Sequence, residues 1–175
     1  MEAASKRESS KRELRINAVE LLRQPGATRP VEVSVSGEAL EVEHDALVGE
    51  IDVDLELEAL NDGIVVRGTI AAPWARPCRR CLDDLSGVAR AEVHELYQVE
   101  LIDEDAYPIV DGQLDLAPMA RQAALLELDD ERLCRDDCAG LCPQCGIDRN
   151  VETCSCDTEV TDHRWAALDG LVLDD

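Results

Sequence analysis

The sequence contains no phenylalanine, and its aromatic residues are limited to two tryptophans and two tyrosines. Aromatic side chains bury the largest apolar areas, so the core of this 175-residue chain has to be built from valine, leucine, isoleucine and alanine. Such a core gains less from burial per residue. A protein with a thin core benefits from metal cross-links, so metal ligands could contribute to the stability of this chain.

Long apolar runs and phosphate-binding glycine loops are also missing. No window approaches eighteen consecutive apolar residues, which argues against a membrane-spanning helix. Residues 1–13 are charged and polar with no apolar stretch behind them, so we expect disorder there and no secretion signal. Neither G-x-G-x-x-G, nor G-x-x-x-x-G-K-[ST], nor a serine nucleophile elbow occurs. We therefore expect a cytoplasmic protein that is not an enzyme.

Positive charge is scarce in this sequence. Seventeen lysine and arginine residues stand against 39 acidic ones, giving a net charge of −22. Non-specific nucleic-acid binding depends on lysine and arginine neutralising phosphates, so this surface repels a phosphate backbone at long range. It should attract basic proteins, of which ribosomal proteins are an abundant supply. The simpler interpretation is that the charge only keeps the protein soluble.

One short segment differs from this acidic background. Trp74, Arg76, Arg79 and Arg80 form the best basic and aromatic group in the chain. Arginine can pair with phosphate and tryptophan can stack on a base, so we consider a local RNA contact here. Three positive charges are a weak signal beside a strongly negative remainder.

Alternation of apolar and polar residues predicts an antiparallel sheet. In residues 50–58, EIDVDLELE, apolar residues at the odd positions alternate with acids at the even positions, which is typical of a half-buried strand. The Asn61-Asp62-Gly63 turn then predicts a hairpin. Further strands are expected over 31–36, 64–71 and 88–101, and a short strand or helix within 14–22.

A helix is expected over residues 116–128, LAPMARQAALLEL. Asp115 can cap its first turn, and Pro118 lies where a helix tolerates proline. A second, short helix is expected over 162–171. The residues predicted to share the buried face of the first helix are Leu116, Met119, Ala120, Ala123 and Leu126.

The eight cysteines are the strongest chemical signal. Six fall within residues 134–156, and Cys78 and Cys81 form a separate C-x-x-C. Thiols this dense in a reducing cytosol favour metal binding over disulfides. Zn²⁺ binds four thiolates when its role is structural, so the chain has ligands for one or two structural zinc ions.

The spacing predicts how these ligands divide. Cys142-Pro143-Gln144-Cys145-Gly146 is the strongest local motif, since Gly146 can take the positive φ that a tight knuckle needs. We predict one site from Cys142, Cys145, Cys154 and Cys156, and a second from Cys78, Cys81, Cys134 and Cys138. Cys134 or Cys138 could replace Cys154, and a single site with Cys78 and Cys81 left free also fits the spacing.

Two other chemistries are compatible with the sequence. Cys78 and Cys81 could form a redox pair if nearby arginines lowered a thiol pKa. A catalytic zinc would need an open position and usually a histidine, but His44, His94 and His163 show no H-E-x-x-H spacing. Of these, only His163 is near enough in sequence to the cysteines to substitute as a ligand.

The ordered motifs resemble those of the bacterial YceD proteins, also called large ribosomal RNA subunit accumulation proteins. The resemblance spans residues 14–172 and rests on APWARPCRRCL, LDLAPMARQAALLEL and CRDDCAGLCPQCGIDRNVETCSC. Arg149 departs from it, because leucine is expected before Asn150. The resemblance implies a cytosolic, non-enzymatic role in making or preserving large-subunit ribosomal RNA.

These observations predict an α+β protein with an antiparallel sheet, one packed helix and a C-terminal zinc-knuckle segment. Residues 1–13 would be disordered, 14–130 would hold the sheet and helix, and 131–175 would hold the cysteine-rich segment and a short helix. The predicted function is ribosome biogenesis, with a basic ribosomal protein or a pre-large-subunit ribonucleoprotein as partner. The alternative is a zinc-ribbon regulator that binds transcription machinery.

Overall fold

The computed structural model describes residues 12–128, 131–157 and 164. The chain divides into two compact units. The first contains the described residues up to 76 together with 84–132, and the second contains 77–83 together with the residues from 133 onward. Most of the predicted disordered N-terminus and, apart from residue 164, the predicted helix over 162–171 lie outside the described residues.

The described residues form seven strands and two helices, consistent with the α+β class. None of the helices in these ranges is long and apolar enough to cross a membrane. The elements are β1 (Arg15–Asn17), α1 (Val19–Leu22), β2 (Thr28–Ser36), β3 (Glu50–Ala59), β4 (Gly63–Pro77), β5 (Asp84–Gln98), β6 (Tyr107–Pro108), β7 (Gln113–Asp115) and α2 (Ala117–Leu128).

The main sheet has five strands in the order β2-β3-β4-β5-β6, and β1 pairs with β7 in a separate two-stranded sheet. β2 and β4 both run antiparallel to β3, but β6 runs parallel to β5. The prediction of a purely antiparallel sheet is therefore wrong at this edge. The buried Gln98 side chain turns the chain there by accepting hydrogen bonds from the N–H groups of Ile102 and Asp103, at 3.2 and 3.1 Å.

β3 shows the predicted alternation. Ile51, Val53, Leu55 and Leu57 are at most 2% exposed, whereas the acids between them face solvent or are half-buried. Apolar side chains on one face and acids on the other place the core on a single side of the sheet. Because β3 lies between β2 and β4, its buried face forms part of the centre of the hydrophobic core.

β2 begins three residues before its predicted start and β3 ends one residue after its predicted end, whereas two other strands differ more from those predicted. β4 continues to Pro77, well past the predicted end at residue 71. β5 begins at Asp84 and ends at Gln98, so the predicted strand residues 99–101 lie outside it. Val99 and Leu101 are both more than half exposed, and apolar letters alone extended the predicted strand too far. As predicted, the C-x-x-C of Cys78 and Cys81 lies between these two strands.

The long helix α2 is present, but its buried face was predicted only in part. The carboxylate of Asp115 accepts a hydrogen bond from the N–H of Ala117 at 3.0 Å, as expected of a group at the helix start. Leu126 is 68% exposed, so its assignment to the core is wrong. The buried residues of the helix are Ala117, Met119, Ala120, Ala124 and Leu128.

Replacing Gly68 with alanine should strongly destabilise the sheet. Gly68 has a φ of +145°, and a Cβ atom there would collide with the backbone of Asp54 on β3. We expect the Gly68→Ala variant to lose about 2–4 kcal/mol of unfolding free energy, measured by urea denaturation. Gly26→Ala is the matched control, because Gly26 has a φ of +86° with nothing within 4 Å of the added Cβ. A loss in Gly26→Ala as large as that in Gly68→Ala would contradict the collision.

Candidate metal centre

The eight cysteines all belong to the second unit and are all free thiols. Their sulfur atoms form two groups of four, and within each group the atoms lie within 4.8 Å of one another. We call Cys78, Cys81, Cys134 and Cys138 the proximal cluster, and Cys142, Cys145, Cys154 and Cys156 the distal cluster. The structure thus brings together the residues of each predicted site, and Cys134 and Cys138 lie with Cys78 and Cys81.

The spacing of the sulfur atoms suits a tetrahedral ion. In the proximal cluster, the Sγ atoms of Cys78 and Cys138 are 3.9 Å apart, and those of Cys81 and Cys134 are 3.6 Å apart. Four thiolates around zinc at the usual bond length lie about 3.8 Å from one another. A disulfide would bring two sulfurs to about 2.05 Å, so these separations fit four ligands around one ion.

The two C-x-x-C segments share one backbone geometry. In the proximal segment, the Cys78 N–H donates to the Asp83 carbonyl at 2.7 Å, and the Leu82 N–H donates to the Cys78 carbonyl at 3.0 Å. In the distal segment, Cys142 donates to Ile147 at 2.8 Å, and Gly146 donates to Cys142 at 2.9 Å. Each segment is therefore the same knuckle, which presents two sulfurs on one side of a tight turn.

The residue after the second cysteine has a positive φ in both knuckles, +65° at Leu82 and +75° at Gly146. Glycine takes this conformation most readily, and Leu82 shows that the proximal knuckle forms without one. A non-glycine residue in the left-handed region costs about 1–2 kcal/mol, so the surrounding contacts must hold Leu82 in place.

Backbone N–H groups directed at sulfur favour the thiolate form in both knuckles. The N–H of Cys81, helped by those of Arg80 and Cys134, lowers the pKa of Cys78 to about 6. The N–H groups of Cys145 and Gln144 lower the pKa of Cys142 to about 6 in the same way. Each cluster therefore contains one sulfur that is mostly ionised at pH 7, which is the form that binds metal.

Other thiols in the same clusters resist ionisation. A hydrogen bond shared with Cys138 raises the pKa of Cys134, and one shared with Cys145 raises the pKa of Cys156 to about 12. Four thiolates cannot coexist at this distance without a compensating charge. A divalent cation among the sulfurs would remove the repulsion, so the donor set fits Zn²⁺.

Apolar packing adds little to the second unit. Among its described residues, the only buried hydrophobic side chains are Cys78, Cys81, Cys138 and Cys142. The hydrophobic core cluster of the protein contains no residue of this unit. The sulfur clusters themselves therefore occupy the interior where an apolar core would otherwise lie.

Neither cluster has the features of a catalytic metal site. In the described ranges, these two are the only groups of three or more cysteine, histidine or acidic residues close enough to share an ion, and both consist of cysteine alone. The His44 Nδ1 atom accepts a hydrogen bond from Ala46 at 3.1 Å, and His94 is in neither group. His163 lies outside the described residues. Four sulfurs complete a tetrahedron and leave no position for a substrate.

The residues considered for RNA contact make contacts within their own units. In the first unit, the Arg132 guanidinium lies 5.3 Å from the centre of the Trp74 ring, and Arg76 donates to the Leu128 carbonyl at 3.1 Å. In the second unit, Arg80 donates to the Cys138 carbonyl at 3.0 Å. An RNA contact by these residues together with Arg79 stays a prediction.

Comparisons with known proteins place the chain among a family and several relatives. The model of the family described as large ribosomal RNA subunit accumulation protein YceD matches residues 66–172, a span that includes all eight cysteines. An uncharacterized protein of Mycobacterium tuberculosis is 33% identical over 166 residues, which cover 87% of this chain and 78% of that protein. One of Mycobacterium leprae is 32% identical over 132 residues, 71% of this chain and 60% of that protein.

The chain therefore belongs to the YceD family. An uncharacterized protein of Mycobacterium bovis matches with the same 33% identity over 166 residues, covering 87% of this chain and 78% of that protein. No solved structure matches the chain.

Metal analysis should find two zinc ions per chain purified under reducing conditions. Replacing Cys142 with serine should lower the content to one ion and reduce thermal stability, because the distal cluster loses a ligand whose lowered pKa favours the metal-binding thiolate. Ser155→Ala, between two distal cysteines, is the control and should keep both ions. A Cys142→Ser protein with full metal content and unchanged melting temperature would contradict this assignment.

Proposed function

We propose that this protein is a non-catalytic ribosome biogenesis factor that supports the synthesis, processing or accumulation of large-subunit ribosomal RNA. Membership of the YceD family, which is named for large ribosomal RNA subunit accumulation, carries the proposal. The closed, all-sulfur clusters support the absence of catalysis, because such sites hold a shape and offer no open coordination position. The expected location is the cytoplasm.

The proposal includes two structural zinc ions, one in each cluster. Tetrahedral all-thiolate sites bind zinc or iron–sulfur clusters, and the cysteine spacings here do not match the usual iron–sulfur patterns. A closed zinc site contributes about 10–16 kcal/mol of apparent folding free energy in small domains. That contribution is large compared with the free energy gained by burying four cysteine side chains.

The acidic face of the main sheet supports a basic protein partner. Glu32 on β2 lies directly opposite Asp54 on β3, and like charges in that position destabilise a sheet. Glu58 has a cation nearby, Arg67 at 3.2 Å, and Asp52 accepts a hydrogen bond from Ser34 at 2.6 Å. Among the described residues, Glu32, Asp54 and Glu56 have no ion-pair partner.

A basic ribosomal protein, free or within a precursor of the large subunit, would relieve this repulsion. Its lysines and arginines would lie beside carboxylates that are exposed and close to one another. The same face would repel the phosphates of naked RNA. Such an association is driven by charge, so it should weaken as salt rises.

Neutralising the opposed acids should weaken association with large-subunit precursors. We expect the combined Glu32→Gln and Asp54→Asn variant to release from those particles at lower salt than the unaltered protein, as measured by sedimentation of tagged protein. The control is Glu100→Gln with Glu104→Gln, which changes the net charge equally at two exposed positions after β5. If the two double variants sediment alike at every salt concentration, the sheet face is not the docking surface.

Co-purification separates this proposal from the alternative of a transcription regulator. Precursors of the large subunit should accompany the tagged protein, whereas RNA polymerase would support the alternative. The cluster composition does not favour the regulator, because each cluster joins one C-x-x-C knuckle to a C-x₃-C or C-x-C pair. A zinc ribbon would place two knuckles on one ion.

A further inference from the structure

A short hairpin connects the two sulfur clusters. Its first arm, residues 138–142, contributes Cys138 to the proximal cluster and Cys142 to the distal cluster. Its second arm runs back alongside, with Leu141 bridged to Asp148 and the Arg149 N–H donating to the Gly140 carbonyl at 2.9 Å. The distal knuckle is therefore the tip of this hairpin, and a proximal ligand lies at its base.

Asn150 closes the base of the hairpin. Its Nδ2 atom donates to the Cys138 sulfur at 3.4 Å, and its Oδ1 atom accepts from the Ala139 N–H at 2.8 Å. Arg135 also donates to Oδ1, at 2.6 Å. Since the Ala139 N–H and the Arg135 guanidinium can only donate, the oxygen must face them and the NH₂ group must face the sulfur.

The second arm of the hairpin holds this amide in place. The carboxylate of Asp148 accepts from both the side chain and the backbone N–H of Asn150, at 2.7 and 2.8 Å. Asp148 is itself bridged to Leu141, the residue before Cys142. The position of the amide beside Cys138 therefore depends on the hairpin whose tip carries distal ligands.

We propose that Asn150 is a positioning residue that couples the two metal sites. An ion in the distal cluster fixes the tip of the hairpin, which holds the Asn150 amide against the Cys138 sulfur and strengthens binding in the proximal cluster. By linkage, an ion in the proximal cluster strengthens distal binding by the same factor. The inference rests on the proposed zinc assignment and is independent of the ribosomal role.

The expected size of the coupling follows from the behaviour of groups that hydrogen-bond metal ligands. Removing such a group lowers metal affinity by about 10- to 100-fold. We therefore expect the overall association constant for two zinc ions, which we call the two-ion constant, to exceed the product of the association constants of the two separate sites by about this factor in the unaltered protein. The single-site constants come from Cys145→Ser, which retains the proximal cluster, and Cys81→Ser, which retains the distal cluster.

Asn150→Asp tests the role of the amide N–H directly. This change keeps the size of the side chain and the oxygen that accepts from Ala139 and Arg135, but it removes the donor both to the Cys138 sulfur and to the Asp148 carboxylate. We expect the excess in the two-ion constant to disappear in Asn150→Asp, as measured by zinc competition with a colorimetric chelator. Asn61→Asp, the same change in the exposed β3–β4 turn, is the control and should keep the excess.

A titration on chains with all eight cysteines covers the case in which a cysteine variant fails to fold. The unaltered protein should lose both ions to the chelator in one step, and Asn150→Asp should lose them in two separate steps. If Asn150→Asp behaves like the unaltered protein, the coupling role is wrong while the zinc assignment stands. If the unaltered protein binds no zinc, the zinc assignment itself fails.

Discussion

Repulsion between closely spaced thiolates is the constraint on which the second unit depends. Four sulfur atoms within 4.8 Å of one another cannot all carry charge, and the opposed pKa shifts of Cys142 and Cys156 within one cluster show the conflict. A divalent ion would resolve it. Because the buried hydrophobic residues in the described part of this unit are all cysteines, a bound ion would take the place of an apolar core, and metal binding would be coupled to folding.

The first unit reaches stability by a different route. Its core consists of aliphatic side chains together with one fully buried aromatic residue, Tyr97, whose ring stacks on Tyr107 at 5.0 Å and whose hydroxyl donates to the Asp115 carbonyl at 3.3 Å. The regular alternation of β3 supplies burial on one face, which lets the other face tolerate opposed carboxylates. The same strand thus carries buried apolar side chains on one face and unpaired acids on the other. A partner could bind the acids without disturbing the packing of the core.

The parts of this structure that could be predicted from sequence are those with a short, regular period. Alternation located β3, and C-x-x-C spacing located both knuckles. The buried face of α2 was harder to predict, because Leu125, Leu126 and Leu128 are all apolar and more than one side of the helix could face the core. In the structure the buried side contains Ala120, Ala124 and Leu128, and Leu126 is exposed to solvent. β6 has two residues and no period to detect. Asn150 was missed as a functional residue because a side-chain contact to sulfur twelve residues away leaves no periodic signal.

The two clusters differ in what it costs to assemble them. The distal cysteines all lie between residues 142 and 156, whereas the proximal cluster joins Cys78 and Cys81 to Cys134 and Cys138 from a separate stretch of the chain. The proximal knuckle also holds Leu82 at positive φ, which costs about 1–2 kcal/mol, whereas Gly146 adopts the equivalent conformation freely. This cost would favour entry of a first ion into the distal cluster. The hairpin fixed by that ion would then present Cys138, already oriented by Asn150, to the cluster that is harder to assemble.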